Sequence, residues 1–106
     1  MSQKPVHFYD RASAEIRDVA EYYMDVSGRH TVLDLKEDLE KAIRHIARAP
    51  GSGSPRYRRL LRAGSLRFWK LTRFPHLMFY TEHSDDVRVL RVIHGMRDIP
   101  RRLTDR

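Results

Sequence analysis

The chain has 106 residues, no cysteine and a formal net charge of +7. This length fits one domain over residues 1–106, and the lack of cysteine excludes a disulfide framework and any Cys-ligated zinc or iron–sulfur site. The positive charge favours negatively charged partners, either nucleic acid or an acidic protein.

The charge is distributed unevenly along the chain. Residues 1–40 carry 5 Lys/Arg and 9 Asp/Glu, whereas residues 41–106 carry 16 Lys/Arg and 5 Asp/Glu. Between Glu40 and Glu82 there are ten basic residues and no acidic one. We interpret this segment as a surface for macromolecular partners; the alternative is a solvated basic face that only keeps the protein soluble.

The N-terminus shows no charged start followed by an apolar run, so we expect no signal peptide. No apolar stretch approaches the ~20 residues that span a membrane. We therefore expect a cytoplasmic protein that makes no membrane contact.

The first elements in chain order are a short strand and a helix. Alternation of Val6 and Phe8 with His7 and Tyr9 predicts the strand. Apolar residues at helical spacing predict a helix over 11–27, with Asp10 as its N-cap and Gly28 ending it.

A second helix follows after a short turn. Thr31 is its predicted N-cap, and apolar residues repeat at helical spacing to about Arg48, where Pro50 ends the helix. So short a connection predicts an antiparallel helical hairpin.

Three strands are predicted near the C-terminus, over 66–72, 76–82 and 87–93, while residues 57–62 fit either an arm or a short strand. Their close spacing predicts an antiparallel meander. The fold class is therefore α+β: an N-terminal strand, then an antiparallel two-helix hairpin packed on one face of a small antiparallel sheet that ends in the three-strand meander.

Basic and aromatic residues alternate in the second half of the chain. Arginine forks pair with phosphates and carboxylates, and aromatic faces accept bases or apolar anchors. Phe68 and Trp69 are the ambiguous members, since they can instead pack the two faces of the sheet. We predict a surface for a macromolecular partner, made of Arg56, Arg58, Arg59, Arg62, Arg67, Trp69, Lys70, Arg73 and Arg97.

Little in the sequence predicts catalysis. There is no glycine-rich nucleotide loop, nucleophile elbow or metal-ligand spacing of histidines, so we expect no cofactor and no metal. His94 can move a proton near neutral pH, although a structural histidine at a strand end is the simpler interpretation. Tyr80 is either a donor in a site or a strand tyrosine.

The C-terminal segments resemble those of the ParE/RelE toxin superfamily. Members have an "RFPY" turn, an apolar strand ending in tyrosine, and a "VLxVxHGxRDP" strand, and here residues 73–80 and 89–100 follow that order. His76 replaces the tyrosine after the proline, and Ile99 separates Asp98 from Pro100. The two predicted helices and Pro50-Gly51 also resemble the family, so the resemblance covers nearly the whole chain.

This resemblance implies the toxin of a type II toxin–antitoxin pair, neutralised by a cognate antitoxin that is acidic and DNA-binding. ParE-like members poison DNA gyrase and arrest growth without chemistry of their own. RelE-like members cleave mRNA on the ribosome, and a nuclease of that kind would here have to use His94 with Arg62, Arg67 and Arg73. The RFP turn and HGxRD ending are more similar to ParE, so we expect a gyrase poison. A ribosome-dependent endoribonuclease, a plain nucleic-acid-binding module and an inactive member are the alternatives.

Overall fold

The computed structural model describes residues 3–61 and 65–105. Its elements in chain order are strand β1 (Val6–Phe8), helices α1 (Asp10–Val26) and α2 (Arg29–Arg48), a single 3₁₀ turn (Pro50–Ser52), strands β2 (Arg67–Lys70), β3 (His76–Glu82) and β4 (Val87–His94), and helix α3 (Ile99–Thr104). All strands and both long helices are where the sequence predicts them, with shifts of one to three residues at their ends.

Both predicted N-caps, Asp10 and Thr31, are wrong, and the C-cap of α1 is Ser27, with the predicted Gly28 directly after it. Tyr9 is the N-cap of α1, so Asp10 is the first helical residue, where its charge still favours the positive end of the helix dipole. Gly28 adopts φ 90°, donates its N–H to the carbonyls of Tyr23 and Met24, and directly precedes α2. Because this glycine reverses the chain within one residue, α2 begins at once and Thr31 lies inside it.

The sheet has the strand order β1-β4-β3-β2. Strands β2, β3 and β4 form the predicted antiparallel meander, but β1 pairs with β4 in parallel, so the sheet is mixed rather than antiparallel. The path of the helices explains this pairing. The Lys4 N–H donates to the Ala47 carbonyl, so the end of α2 lies beside the start of β1. The chain therefore leaves α2 at the end of the sheet where β1 begins. Strands β1, β2 and β4 therefore run in one direction.

Both faces of the sheet are covered. Helices α1 and α2 pack on one face, over a core that includes Leu35, Met78 and Val89. On the other face a second cluster of buried side chains lies under Tyr57 and α3; its members are Leu66, Leu77, Phe79, Ile93, Ile99 and Leu103. Phe68 packs in this second cluster, whereas Trp69 packs on the helical side, as expected for neighbouring residues of a strand.

Helix α3 was not predicted. Asp98 is its N-cap, with a side-chain oxygen that accepts the Arg101 N–H at 3.2 Å, and Pro100 occupies the first turn. This combination of an acidic cap and an early proline is a helix-start signal. The sequence analysis missed this helix because its six residues contain too few apolar positions to show a helical period.

A partly buried ion pair connects α1, β4 and α3. The Arg91 guanidinium donates to both carboxylate oxygens of Glu15, at 2.8–3.1 Å, and to the Arg102 carbonyl. Glu15 also accepts the Val92 N–H at 2.8 Å. In the described part of the chain, no helix is long and apolar enough to cross a membrane.

Candidate functional site

The RFP turn and the HGxRD ending are joined by a backbone contact. The Gly95 N–H donates to the Pro75 carbonyl at 2.7 Å, and a Cβ at Gly95 would lie only 2.9 Å from that oxygen. One residue earlier, His94 pairs with His76 across β4 and β3. The glycine is therefore required by this close approach, and the two sequence segments form one end of the sheet.

The two paired histidines differ in their surroundings. The His94 ring is half-buried, and its Nδ1 accepts the Met96 N–H at 3.0 Å. His76 is only 5% exposed, and its Nδ1 is buried without a hydrogen-bond partner. Burial, and then the neighbouring His94 5.1 Å away between ring centroids, lower the pKa of His76 to about 4. His76 is thus a neutral packing residue at neutral pH.

Tyr80 has a structural role. It is fully buried; its hydroxyl donates to the Pro50 carbonyl at 2.7 Å and accepts the Gly53 N–H at 3.1 Å. Burial raises the pKa of this hydroxyl, with the Gly53 hydrogen bond opposing the shift. The side chain holds the loop after α2 against the sheet and does not face solvent.

Two arginines of the predicted surface contact other parts of the chain. Arg67, at the start of β2, donates to the Gly53 carbonyl at 2.9 Å. Arg73, in the turn after β2, forms an ion pair with Asp34 of α2 at 3.2 Å. That turn is also held by Asp38, which is buried and accepts the Arg73 N–H at 2.8 Å.

The other described cations of the predicted set are dispersed over the surface. Arg56, Arg58 and Arg59 are exposed on the segment that Tyr57 anchors against Phe68, with the Arg56 guanidinium 5.1 Å from the centroid of the Tyr57 ring. Lys70 and Arg97 are exposed at the other end of the sheet, where β2 and β4 end. Arg62 lies outside the described residues.

Two described residues of the hypothetical nuclease set, Arg67 and His94, are not brought to one point. Arg67 pairs with Tyr80 of β3, whereas His94 pairs with His76, four residues away along the same strand. At about 3.3 Å per residue the two positions are about 13 Å apart along the sheet. Since Arg67 also points to Gly53, it does not face the ring of His94.

A groove that the sequence analysis missed lies beside Trp69. Lys41, Arg44, His45 and Arg48 line it from α2, together with Ala42, Trp69 and Thr72, around a volume of about 300 Å³. The rings of His45 and Trp69 stack with centroids 3.8 Å apart. The signal for it was present in the sequence, because positions 41, 44, 45 and 48 follow the i, i+3, i+4, i+7 spacing of one helix face.

No cluster of three or more potential metal ligands occurs within residues 3–61 and 65–105. The acidic groups near the sites above are already engaged: Asp34 by Arg73, and Asp38 by backbone N–H groups.

Comparisons with known proteins agree with this geometry. Residues 6–99 match the family model described as the ParE toxin of the type II toxin–antitoxin system parDE. Among solved structures, a chain of the chromosomal ParDE TA system from P. aeruginosa superposes with a TM-score of 0.70 at 16% identity, covering 87% of this chain and 96% of that one. No curated protein matches. At this identity the structural match establishes the fold, and the family match covers most of the sequence.

Proposed function

The chain belongs to the ParE toxin family of type II toxin–antitoxin systems, and from this premise we propose that it arrests growth in the cytoplasm by binding DNA gyrase rather than by catalysis. The choice of target rests on the RFP turn and HGxRD ending, which are more similar to ParE than to RelE toxins. A binding poison needs an exposed, partner-facing surface and no group that transfers protons.

The observation that carries the proposal is the separation of Arg67 from His94. Arg67 is bound to Gly53 and lies about 13 Å along the sheet from the position of His94, while Arg73 is paired with Asp34. An RNase of the expected type needs its arginines around the phosphate whose ester bond breaks, beside the group that acts as general acid or base. Because Arg67 lies away from His94 and Arg73 is engaged by a carboxylate, the arrangement favours binding.

The proposed partner surface comprises the exposed cations of the predicted set. Three of these exposed residues are Arg56, Arg58 and Arg59, and their segment is held by Tyr57, which packs against the second cluster. The three arginines are therefore available to a partner and contribute little to the stability of the fold. Such cations attract acidic segments, and we propose that a cognate acidic antitoxin, itself DNA-binding, neutralises the toxin there.

One observation favours the second candidate function, a RelE-like mRNA endoribonuclease. The Nδ1 atom of His94 accepts the Met96 N–H, which places the proton of the neutral ring on Nε2. A half-buried imidazole with a defined tautomer is suited to general acid–base chemistry. This candidate requires a cation other than Arg67 beside His94, because Arg67 is bound to the Gly53 carbonyl.

Induced expression in cells distinguishes the two functions. We expect growth arrest with altered plasmid supercoiling, intact mRNA, and relief when the neighbouring reading frame is co-expressed. New mRNA ends within ribosome-bound messages, with unaltered supercoiling, would instead identify the ribonuclease. Normal growth under full expression would contradict toxin activity of either kind.

A further inference from the structure

The groove between α2 and β2 carries an unusual concentration of positive charge. Lys41, Arg44 and Arg48 lie on one helix face, seven residues from first to last, which is about 10 Å along the axis. Glu37 is 3.7 Å from Lys41. For Arg44 and Arg48, no carboxylate within residues 3–61 and 65–105 comes within 4.0 Å of their nitrogens.

The floor of the groove is fixed by aromatic and polar contacts. The Ser52 hydroxyl donates to the Ala49 carbonyl at 2.7 Å, so its oxygen accepts from His45 Nε2, also at 2.7 Å. His45 in turn stacks on Trp69 with the planes 22° apart. These contacts hold a rigid floor between the cations, so the groove is formed before any ligand binds.

The chemistry of the lining indicates what it binds. Amphipathic peptides dock through apolar anchors in apolar grooves, but only Ala42 and Trp69 are apolar here. Recognition must therefore rest on charge. Every nucleotide of a nucleic-acid strand carries a phosphate, and arginine forks are well shaped for phosphates. Three cations along about 10 Å of one helix face therefore suit a short run of the phosphate backbone.

We propose that this groove binds the phosphate backbone of nucleic acid directly, with Lys41, Arg44 and Arg48 as the contacts and the Trp69–His45 stack as the floor. This interaction is additional to the proposed action on gyrase and needs no gyrase to occur. DNA and RNA share the recognised chemistry, and both are therefore used as probes.

Trp69 makes the proposal directly measurable, because it is the only tryptophan of the chain. The full-length protein is titrated with a short DNA and a short RNA oligonucleotide at several salt concentrations, with tryptophan fluorescence and oligonucleotide anisotropy recorded together. We expect both signals to change at the same ligand concentration. The affinity should fall with salt at a log–log slope that counts the phosphate contacts.

Paired charge reversals locate the contact. Arg44→Glu with Arg48→Glu should weaken binding by about tenfold or more and lower the salt slope by about 2. Arg101→Glu with Arg102→Glu makes the same change in net charge on exposed positions of α3, across the sheet, and should leave the slope and the fluorescence change intact. If the first pair does not fold, as judged by circular dichroism, Arg44→Gln with Arg48→Gln serves instead.

Three results would overturn the proposal. One is the absence of binding to either oligonucleotide at low salt. Another is an equal loss in both reversal pairs, which would indicate attraction to the net charge alone. The third is binding of a polyglutamate peptide with equal affinity and the same sensitivity to the Arg44 and Arg48 variants, which would assign the groove to an acidic protein.

Discussion

His94 and His76 are adjacent in space, yet only one of them is suited to chemistry. His94 is half-buried at the end of β4 and accepts the Met96 N–H, whereas His76 is buried with an unpartnered Nδ1. The family pattern has tyrosine at the position of His76. His94 therefore leads to a prediction about proton transfer, and His76 to one about the pH dependence of stability.

His94→Gln tests whether a proton must move. Glutamine can accept the Met96 N–H but cannot titrate, so we expect a folded protein that retains most of its growth inhibition. A general acid or base would instead contribute ~10²–10⁴-fold to the rate. Growth on induction and thermal unfolding are measured together, with His30→Gln at an exposed position as the control. Abolished toxicity in a folded variant, with mRNA cleavage by the wild type, would favour the ribonuclease.

His76 predicts a pH dependence of stability. Its pKa is about 4 in the folded protein and 6.5 in the unfolded chain, so between these values the unfolded state binds more protons. The free energy of unfolding should therefore fall as the pH drops from 6.5 to about 4, by roughly 3 kcal/mol at ~1.4 kcal/mol per pKa unit. Urea unfolding across this range measures it.

The comparison is with His76→Tyr, which removes the titrating group at this position. Its loss of stability between pH 6.5 and about 4 should be smaller than that of the wild type by the His76 contribution, because the carboxylates titrate in both proteins. His30→Gln should behave as the wild type, since His30 is exposed. If the free energy of unfolding of His76→Tyr depends on pH as that of the wild type does, His76 binds its proton in the folded protein over the same pH range as in the unfolded chain.

At the scale of secondary-structure elements, α1, β4 and α3 are joined through Glu15 and Arg91. This pair is partly buried, and Arg91 is its better buried partner. Removing one partner of a fully buried pair costs about 3 kcal/mol or more, so Glu15→Gln should lower the free energy of unfolding by about 1–3 kcal/mol in urea titrations. Glu37→Gln, which breaks the exposed pair with Lys41, should cost no more than about 0.5 kcal/mol. If both substitutions lower the free energy of unfolding equally, the Arg91 guanidinium is hydrated once Glu15 no longer pairs with it.

The segment anchored by Tyr57 is expected to bind partners rather than stabilise the fold. Arg58→Glu with Arg59→Glu should weaken antitoxin or target binding and leave the thermal midpoint nearly unchanged, because exposed charges contribute only ~0–1 kcal/mol each. Arg17→Glu with Arg29→Glu is the matched reversal on the helical hairpin. Binding that is lost equally in both pairs, or unfolding of the first pair, would refute a local partner surface.

Elements with a strong local pattern were predictable from sequence. The two long helices, the RFP turn and the strand over 76–82 follow from periodicity and turn residues alone. The parallel pairing of β1 was not predictable, since it depends on where α2 returns the chain, and neither was the start of α2 directly after Gly28. These features arise from tertiary path rather than from local pattern.

The candidate site was predictable in composition but not in arrangement. The basic segment after Pro55 was identified from its charge, yet Arg67 and Arg73 have internal partners that lie far away in sequence, at Gly53 and Asp34. The groove beside Trp69 combines α2 with β2, so its cations and its tryptophan looked unrelated along the chain.

At the scale of the whole molecule, charge is separated between the two halves of the chain, −4 over residues 1–40 and +11 over residues 41–106. Exposed cations of the more basic part occur on the Tyr57 segment, in the α2 groove, at the end of the sheet and on α3. A molecule of this kind is suited to contact several acidic partners at once, as a poison of a protein–nucleic acid complex would.

The most direct test of the central claim is a cleavage assay with purified gyrase, supercoiled plasmid and the full-length chain. We predict that the chain inhibits supercoiling and accumulates gyrase–DNA cleavage complexes, that His94→Gln does so nearly as well as the wild type, and that the antitoxin abolishes the effect. Unaltered supercoiling and cleavage by gyrase, together with cleavage of ribosome-bound mRNA by the wild type but not by folded His94→Gln, would contradict the account.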